Sequence, residues 1–374
     1  MIKEYTALGL MSGTSGDGVD ASIIKSDGKS AYNIITDKYF EYNDEIFKEI
    51  HKLKEKIQRS KDLKTFLNQI NSLEKNITLF HAKVIKEISK NNEFDLVGFH
   101  GQTIYHNSLE RISKQLGNGR LLSQLSQKDI VYNFRENDIK NGGEGAPLTP
   151  IFHQLIATKY KLDLPVCILN IGGISNITII EEPIGSNSFT SRDIGPGNCL
   201  IDSWVRKNSN LKYDKDGLLA SSGTRNDIIF EQAQELFGSR PNHKTLSLDI
   251  NDFDVSFARG LSLKDGAATL TDFTARIIGS NLLALTSKVS NKLMKVLVCG
   301  GGRKNKILVE KIKKNTFKNL AIQPIDDYGI NGDFVESQAF AYLAIRNIIK
   351  EPISFPNTTG CDSPSTGGNL IKIK

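Results

Sequence analysis

The stretch that decides the fold is Tyr5–Asp20, which reads YTALGLMSGTSGDGVD. It begins with a short apolar run that predicts a buried strand. A polar, glycine-rich segment follows, in which Asp17-Gly18 is a strong signal for a tight turn. Glycines in such a turn let backbone N–H groups approach a phosphate, and the hydroxyls of Thr14 and Ser15 add donors. The segment is therefore a candidate phosphate loop, with an ordinary hairpin turn as the alternative.

Outward from this stretch, strand-like and helix-like patterns alternate along the chain. Two further short runs extend the opening strand into a meander, and apolar residues at spacings of three and four predict helix from Asp44 to about Lys90. Apolar runs followed by glycines recur at Leu96–His100, Val166–Ile171 and Lys295–Cys299. This alternation predicts an α/β protein.

The recurrence of a strand followed by glycines in both halves predicts two related α/β domains that face a cleft. A chain of 374 residues is also too long for one ordinary domain and suits two. We place the first domain at residues 1–138 and the second at 139–349. We expect the tail, 350–374, to pack back on the first domain.

Composition and charge favour a cytoplasmic globular protein. Hydrophobic residues make up 39% of the chain and charged residues 24%, which is enough to bury a substantial core. The four cysteines form no CxxC pair, so we expect reduced thiols rather than a zinc site or disulfides. The opening residues lack the pattern of a secretory signal, and no apolar run approaches the ~18 residues of a membrane span. The net charge of +6 is dispersed without an aromatic stripe, so neither nucleic acid nor a membrane is expected as a partner.

Two common nucleotide-binding folds are excluded by spacing. Gly28-Lys29-Ser30 lacks the glycine that a P-loop requires five positions upstream, where Ile23 stands. Gly142–Gly145 is followed by Pro147 and does not continue as a dinucleotide-binding fingerprint.

The motif GFHGQT places polar side chains at the end of a predicted strand. His100, Gln102 and Thr103 are candidates for reading sugar hydroxyls, although a lone histidine is more often structural. Arg135 follows the next strand, and its guanidinium is suited to pairing with a carboxylate. A local salt bridge between Arg135 and Asp138 is the alternative.

Three motifs in the second half carry the remaining candidates. Gly172-Gly173 ends an apolar strand and is similar to a second phosphate hairpin, with a plain turn as the alternative. Asp193 precedes Pro196, which we expect to open a helix over 197–207. The positive end of that helix would keep the Asp193 carboxylate ionised as a base, and capping of the helix is the alternative. Gly300–Gly302 lies between a strand and a helix, where a nucleotide can approach the backbone.

Together these motifs resemble the anhydro-N-acetylmuramic acid kinase family, within the class that also holds actin, hexokinase and the large heat-shock chaperones. The resemblance covers essentially the whole chain. It is carried, in order, by Gly9–Ser15, His100–Thr103, Asn133–Arg135, Gly145–Leu148, Asn170–Asn176, Asp193–Asn198, Val298–Gly302 and Glu336–Ala341. It implies two actin-like (ribonuclease-H-like) domains with an interdomain cleft.

The resemblance implies an ATP-dependent kinase of peptidoglycan recycling. Water opens the 1,6-anhydro ring of 1,6-anhydro-N-acetylmuramic acid, and the freed O6 takes the γ-phosphoryl group, giving N-acetylmuramic acid 6-phosphate. Asp193 matches the catalytic base of the family, and Glu336 matches a carboxylate that assists. Asp17 and Asp20 are the candidate carboxylates for a hydrated Mg²⁺. A homodimer is expected.

The remaining candidate residues divide by ligand. Contacts with ATP are expected from Gly13, Thr14, Ser15, Gly16, Asp17, Gly18, Gly172, Gly173, Asn176, Gly300, Gly301, Gly302 and Asn305. Contacts with the sugar are expected from His100, Gln102, Thr103, Arg135, Gly195, Gly197 and Asn198.

Departures from the family pattern leave the exact sugar open. Gly16 stands where Leu or Met is usual, Arg192 where an aromatic residue is usual, and residues 243–247 replace a Pro-Lys-Ser-Thr-Gly segment. Glu144 adds a charge where an amide is expected. A kinase for another 1,6-anhydrosugar, such as levoglucosan, is therefore an alternative. A non-catalytic actin-like nucleotide-binding scaffold is a second alternative, disfavoured because a scaffold needs no base.

Overall fold

The stretch that opens the chain forms the first strand of a mixed sheet and the turn into the second strand. A computed structural model describes residues 3–185, 188–238, 246–289, 293–316 and 320–373. Within these residues the strands are β1 (Tyr5–Ser12), β2 (Gly18–Ser26), β3 (Tyr32–Glu41), β4 (Leu96–Asn107), β5 (Ile112–Leu116), β6 (Asp129–Tyr132), β7 (Val166–Ile171), β8 (Ile174–Ile180), β9 (Phe189–Pro196), β10 (Met294–Cys299), β11 (Leu320–Pro324) and β12 (Asn369–Ile371).

Helices occupy most of the connections between these strands. They are α1 (Asp44–Lys56), α2 (Asp62–Thr65), α3 (Leu67–Ile88), α4 (Gly119–Ser126), α5 (Glu136–Lys140), α6 (Pro150–Lys159), α7 (Cys199–Asn208), α8 (Leu218–Ser221), α9 (Asp227–Gly238), α10 (Leu263–Thr286), α11 (Lys306–Asn315), α12 (Val335–Ile349) and α13 (Pro356–Thr359).

The two sheets share one strand plan. The first has the order β12-β6-β4-β1-β2-β3, with β5 paired to β4, and the second has the order β11-β10-β7-β8-β9. In the first, β1 is antiparallel to β2 and parallel to β4, and β4 is parallel to β6. In the second, β7 is antiparallel to β8 and parallel to β10, and β10 is parallel to β11. This shared order is the ribonuclease-H-like plan, so the α/β class and the repetition of the plan in both halves are confirmed.

The chain divides into two units at places that differ from the predicted boundaries. Unit 1 holds Met1–Leu162, Glu182–Ser191 and Asp333–Lys374, and unit 2 holds Asp163–Glu181 and Arg192–Gly332. Residues 139–162 and 333–349 therefore belong to unit 1, whereas the sequence placed them in the second domain. The tail 350–374 is also in unit 1, where β12 pairs with β6.

Packing of α6 and α12 explains where the first boundary falls. The ring of Phe152 on α6 lies 5.0 Å from that of Tyr32 on β3 and 5.6 Å from that of Tyr342 on α12. Apolar side chains of α6 are buried along almost its whole length, so they are not available to a separate core. The Gly142–Gly145 segment, which follows the predicted boundary between residues 138 and 139, therefore lies inside unit 1.

Glycines in the central strands let α12 lie directly on the first sheet. A Cβ atom at Gly9 of β1 would overlap the carbonyl oxygen of Ser337, and one at Gly98 of β4 would overlap that of Phe340. Only glycine permits this approach of helix to strand. The N-terminal half of α12 is thereby held against β4 and against β1, which ends at the candidate phosphate loop.

Two elements extend differently from the prediction. The helical pattern from Asp44 breaks after α1, where the carboxylate of Asp62 accepts hydrogen bonds from the backbone N–H groups of Gln58 (3.1 Å) and Arg59 (2.9 Å). Strand β4 does not end at His100 but continues as a hairpin with β5, since Gly101 adopts a left-handed φ of 75° that lets the strand pass a bulge.

In the described part of the chain, no helix has the length and apolar character needed to cross a membrane.

Candidate active site

The candidate phosphate loop of unit 1 is a closed turn between β1 and β2. The N–H of Gly16, whose φ is 63°, donates to the carbonyl of Gly13 at 3.1 Å. The hydroxyl of Ser15 donates to the carboxylate of Asp17 at 2.6 Å. A Cβ atom at Gly13 would meet only the Ser15 hydroxyl, at 3.8 Å, so the backbone here is open to a ligand. An open glycine-containing turn of this kind is compatible with a phosphate contact.

Side chains from three other elements brace this turn. Gln102 donates to the carbonyl of Gly13 at 3.0 Å and accepts from the hydroxyl of Ser12 at 2.6 Å. The ammonium of Lys54 on α1 donates to the carbonyl of Thr14 at 2.7 Å. Because Gln102 is fully buried and both ends of its amide are used, it acts as a brace for the loop. The expectation that Gln102 also reads sugar hydroxyls stays a prediction.

Asp17 and Asp20 provide the oxygen ligands proposed for a magnesium ion. Asp17 lies in the turn, and Asp20 lies on β2 opposite Met11 and Tyr39. The described residues contain no group of three or more His, Cys, Asp or Glu side chains placed to hold a metal. Mg²⁺ commonly takes one or two carboxylates and fills its other positions with water and phosphate oxygens. The donor set is compatible with that mode and not with an all-protein cage.

His100 is the extra residue of a bulge between β1 and β4. Leu10 pairs with Phe99 and Met11 pairs with Gly101, so His100 has no partner in the register. Its Nδ1 lies 2.9 Å from the carbonyl of Gly101, which requires a proton on Nδ1. Its Nε2 then accepts from the guanidinium of Arg135 at 3.0 Å. Burial, followed by the charge of Arg135, holds the pKa of His100 well below its ordinary value, so the ring is neutral.

Arg135 joins the bulge to the glycine-rich segment. Its second terminal nitrogen donates to the carbonyl of Gly145 at 2.7 Å. Asp138 accepts from the N–H of Gly145 at 2.7 Å and from the hydroxyl of Thr359 at 2.6 Å. Arg135 therefore binds the Gly145 backbone and His100, while Asp138 ties the same loop to α13.

A cavity of about 650 Å³ opens beside His100 within unit 1. Its walls come from the β4–β5 hairpin, the start of α4 and the segment from β6 into α5. Gln115, which lines it, donates to the hydroxyl of Thr103 at 3.3 Å and to that of Ser113 at 2.8 Å. The predicted sugar residues His100 and Thr103 thus lie at or next to a cavity of the size that binds small molecules.

Glu336 lies in the first turn of α12 and is half-buried. The neighbouring residues fix this turn, because the hydroxyls of Ser337 and Ser22 lie 2.6 Å apart and Gln338 donates to both oxygens of Asp37 at 3.1 Å. The position of Glu336 is therefore set by contacts between α12 and the β2–β3 hairpin.

In unit 2 the two glycine motifs predicted near the site lie together. The N–H groups of Gly197 and Cys199 donate to the carbonyl of Gly173 at 2.8 and 3.2 Å, and that of Asn198 donates to the carbonyl of Gly172 at 2.8 Å. A Cβ atom at Gly197 would overlap the Gly172 carbonyl. Gly197 is thus required for this contact between the β7–β8 turn and the start of α7.

Asp193 lies on β9 and is nearly buried, with 9% of its surface exposed. Its Oδ2 accepts from the N–H of Leu248 at 2.7 Å and from the hydroxyl of Ser247 at 3.4 Å. Its own N–H donates to the carbonyl of Leu246 at 2.7 Å. These hydrogen bonds fix the orientation of the Asp193 carboxylate.

The helix after Asp193 begins later than predicted. Pro196 ends β9, and α7 begins at Cys199 with Asn198 at its N-cap position. Asn198 makes no side-chain capping bond, and Asp193 does not cap the helix. Gly195 packs against α10, where a Cβ atom would meet Ile277 at 2.6 Å, so it serves backbone packing rather than an open contact.

The Gly300–Gly302 loop combines one open and two crowded positions. A Cβ atom at Gly301 would meet nothing within 4 Å, whereas Cβ atoms at Gly300 and Gly302 would overlap Asn170 and Ile171. Gly301 is thus the position at which a ligand can reach the backbone. Asn305 is buried, and its side chain caps α11 by accepting from Leu308 N–H at 3.0 Å, so it supports the loop instead of facing outward.

Asn176 carries a buried side-chain oxygen on β8 that has no hydrogen-bond partner in the described residues. An unsatisfied buried acceptor costs about 1–3 kcal/mol. A ligand hydroxyl, a water or a cation would remove that cost, which fits Asn176 as a ligand contact.

Sequence reasoning missed three contributors to these sites. Ser12 and Lys54 brace the first loop, and residues Leu246–Leu248 hold Asp193. The contribution of Leu246–Leu248 could have been found from the sequence, because residues 243–247 depart from the family pattern. His243, Lys244 and Thr245 lie outside the described residues.

Comparisons of the sequence with known proteins match the same family over nearly the whole length of the chain. The profile of the family described as "Anhydro-N-acetylmuramic acid kinase" matches residues 5–372. A relative of that name from Pelagibacter ubique (strain HTCC1062) is 55% identical over 374 residues, covering 100% of both chains. A relative of the same name from Zymomonas mobilis subsp. mobilis is 37% identical, and the match covers 98% of this chain and 100% of the relative. A third, from Agrobacterium fabrum, is 34% identical, and the match covers 98% of both chains. The chain belongs to the anhydro-N-acetylmuramic acid kinase family.

Proposed function

We propose that the protein uses ATP to convert 1,6-anhydro-N-acetylmuramic acid and water into N-acetylmuramic acid 6-phosphate and ADP. The observation that carries the proposal is the family match over residues 5–372, with a full-length relative of that name at 55% identity. The hydrogen bonds that hold Asp193 and the open backbone at Gly13 and Gly301 support it. Peptidoglycan recycling, a cytoplasmic location and a homodimer are part of the same proposal.

Asp193 is the proposed base. Opening the anhydro ring requires removal of a proton from water at the anomeric carbon. The Leu248 N–H and the Ser247 hydroxyl stabilise the carboxylate through Oδ2. They also fix the direction of the carboxylate. Glu336, held by the first turn of α12, is the proposed assisting carboxylate.

The glycine loops are the proposed nucleotide contacts. Gly13–Gly18 offers backbone N–H groups and the hydroxyls of Thr14 and Ser15, and Gly301 offers an open approach to the backbone. Gly172 and Gly173 form the corresponding turn of unit 2, and Asn176 follows it on β8. Mg²⁺ at Asp17 and Asp20 would neutralise charge on the transferred phosphoryl group. His100, Thr103, Arg135, Gly197 and Asn198 remain the proposed sugar residues.

An ADP-release assay against a small set of anhydrosugars tests the proposal. Purified protein with Mg²⁺ and ATP is expected to release ADP with 1,6-anhydro-N-acetylmuramic acid, and the product is expected to carry phosphate on O6 by NMR. Turnover of levoglucosan in preference to the amino sugar would mean that levoglucosan is the substrate. ATP binding by calorimetry without turnover of any sugar would favour the scaffold alternative.

A further inference from the structure

The cavity beside His100 has an excess of positive charge. Its lining includes Arg111, Lys114, Arg120 and Lys140, against the carboxylates of Glu74 and Glu136. Lys114 pairs with Glu74 at 3.0 Å, and Lys140 pairs with Glu136. Both carboxylates of the lining are therefore already matched by lysines.

The two arginines of the lining have no acidic partner among the described residues. No ion pair or side-chain hydrogen bond joins Arg111 or Arg120 to any residue of the described chain, and both side chains are exposed. Arg111 lies on the β4–β5 hairpin, and Arg120 lies in the first turn of α4. A guanidinium presents paired donors that match a carboxylate, so two unpaired guanidiniums on one cavity favour an anionic group.

Polar contacts connect this cavity to the proposed sugar residues. Gln115 lines the cavity and donates to the Thr103 hydroxyl, and His100 lies in the same wall. A volume of about 650 Å³ lies within the range of small-molecule pockets and accommodates a sugar together with a substituent.

We propose that Arg111 and Arg120 bind the carboxylate of the acidic substituent on the sugar and so select acidic over neutral anhydrosugars. This inference rests on the proposed function, because it names what the same site recognises. The lysines of the cavity do not take this role, since Glu74 and Glu136 already neutralise them.

The test compares 1,6-anhydro-N-acetylmuramic acid with its methyl ester, which has nearly the same shape and no charge. Wild type, Arg111→Gln, Arg120→Gln and the double variant are assayed, and Arg59→Gln, an exposed arginine that does not line the cavity, is the matched control. The double variant is expected to raise KM for the acid about tenfold, with kcat and the KM of ATP unchanged. KM for the ester is expected to stay the same in every variant.

Calorimetry of the two sugars without ATP separates this inference from the proposed function. Tighter binding of the acid than of the ester, lost in the double variant and reduced by salt, supports the arginine site even if no turnover occurs. Equal loss of affinity for acid and ester in the double variant, or no loss for either, would overturn it. If either of these two outcomes is found while the wild type releases ADP, the proposed function stands and only the arginine site is removed.

Discussion

At the scale of single residues, Asp193 is the side chain on which the proposed chemistry most depends. Asp193→Asn keeps the shape of the side chain and an oxygen that can accept from Leu248 N–H, so the variant is expected to fold and to bind ATP. Loss of a general base commonly costs ~10²–10⁴ in rate. Turnover of 1,6-anhydro-N-acetylmuramic acid is therefore expected to fall by that amount.

The comparison for this variant is Asp163→Asn in the same unit. Asp163 is exposed and pairs with Lys295 at 2.6 Å, away from the glycine loops, so its amide variant should keep wild-type turnover. Steady-state kinetics and nucleotide titration measure both variants. An Asp193→Asn enzyme with near wild-type kcat would remove Asp193 from the role of base.

Residue-scale contacts also change how the GFHGQT motif works. Gln102 braces the phosphate loop, and His100 is a neutral ring that accepts from Arg135. Gln102 and His100 of this motif therefore support neighbouring loops. Thr103 connects the motif to the cavity by accepting a hydrogen bond from Gln115.

At the scale of elements, α12 is the helix whose placement matters most, because it carries Glu336 and lies on the backbone of β1 and β4. Gly98→Ala puts a Cβ atom onto the Phe340 carbonyl, which cannot move without shifting the helix. Overpacking of this kind costs roughly 3 kcal/mol. The free energy of unfolding in urea is expected to fall by that amount, and turnover is expected to fall with it.

Gly301→Ala provides the contrast, since its Cβ atom would meet nothing within 4 Å. Its unfolding free energy should match wild type, while its affinity for ATP should drop if Gly301 is a nucleotide contact. Equal stability of Gly98→Ala and wild type would mean that α12 does not lie against β4 as described.

At the scale of the whole molecule, buried histidines should make stability depend on pH in one unit. Burial lowers the pKa of His81 to about 4 and of His106 and His153 to about 3, and the pKa of His100 is also lowered. All four lie in unit 1. The unfolded chain binds protons near pH 6.5 and the folded chain does not, so their stabilisation is complete above pH 6.5 and is lost as pH falls.

Hydrogen exchange at pH 7.5 and pH 5.5, corrected for intrinsic rates, measures this effect. Each histidine should destabilise unit 1 by about 1.4 kcal/mol at pH 5.5, because that pH is one unit below the unfolded value. Protection of β1 and β4 amides should fall, while that of β7 and β10 in unit 2 should change less. His81→Leu removes one buried ring, so unfolding of this variant at low pH should take up one proton fewer and its stability should depend less steeply on pH. Equal loss of protection in the two units would contradict this assignment.

The sequence predicted the parts of this protein that local chemistry controls. An apolar run followed by glycines at Tyr5–Gly18 has few conformations other than a strand and a tight turn, and β1 and its turn formed where predicted. Repetition of that pattern in the second half was enough to predict a second sheet with the same plan. The family, and with it the kinase function, followed from ordered motifs that cover the whole chain.

Tertiary structure alone decided how those parts are used. Residues 139–162 and 333–349 joined unit 1 because Phe152 and α12 pack on strands more than a hundred residues away along the chain. The carboxylate of Asp193 accepts from the N–H of Leu248, and Gln102 is buried against the Gly13 loop. A polar side chain takes whichever partner the fold brings within about 3 Å. Local sequence limits what a side chain can bond, but packing between distant segments selects the partner.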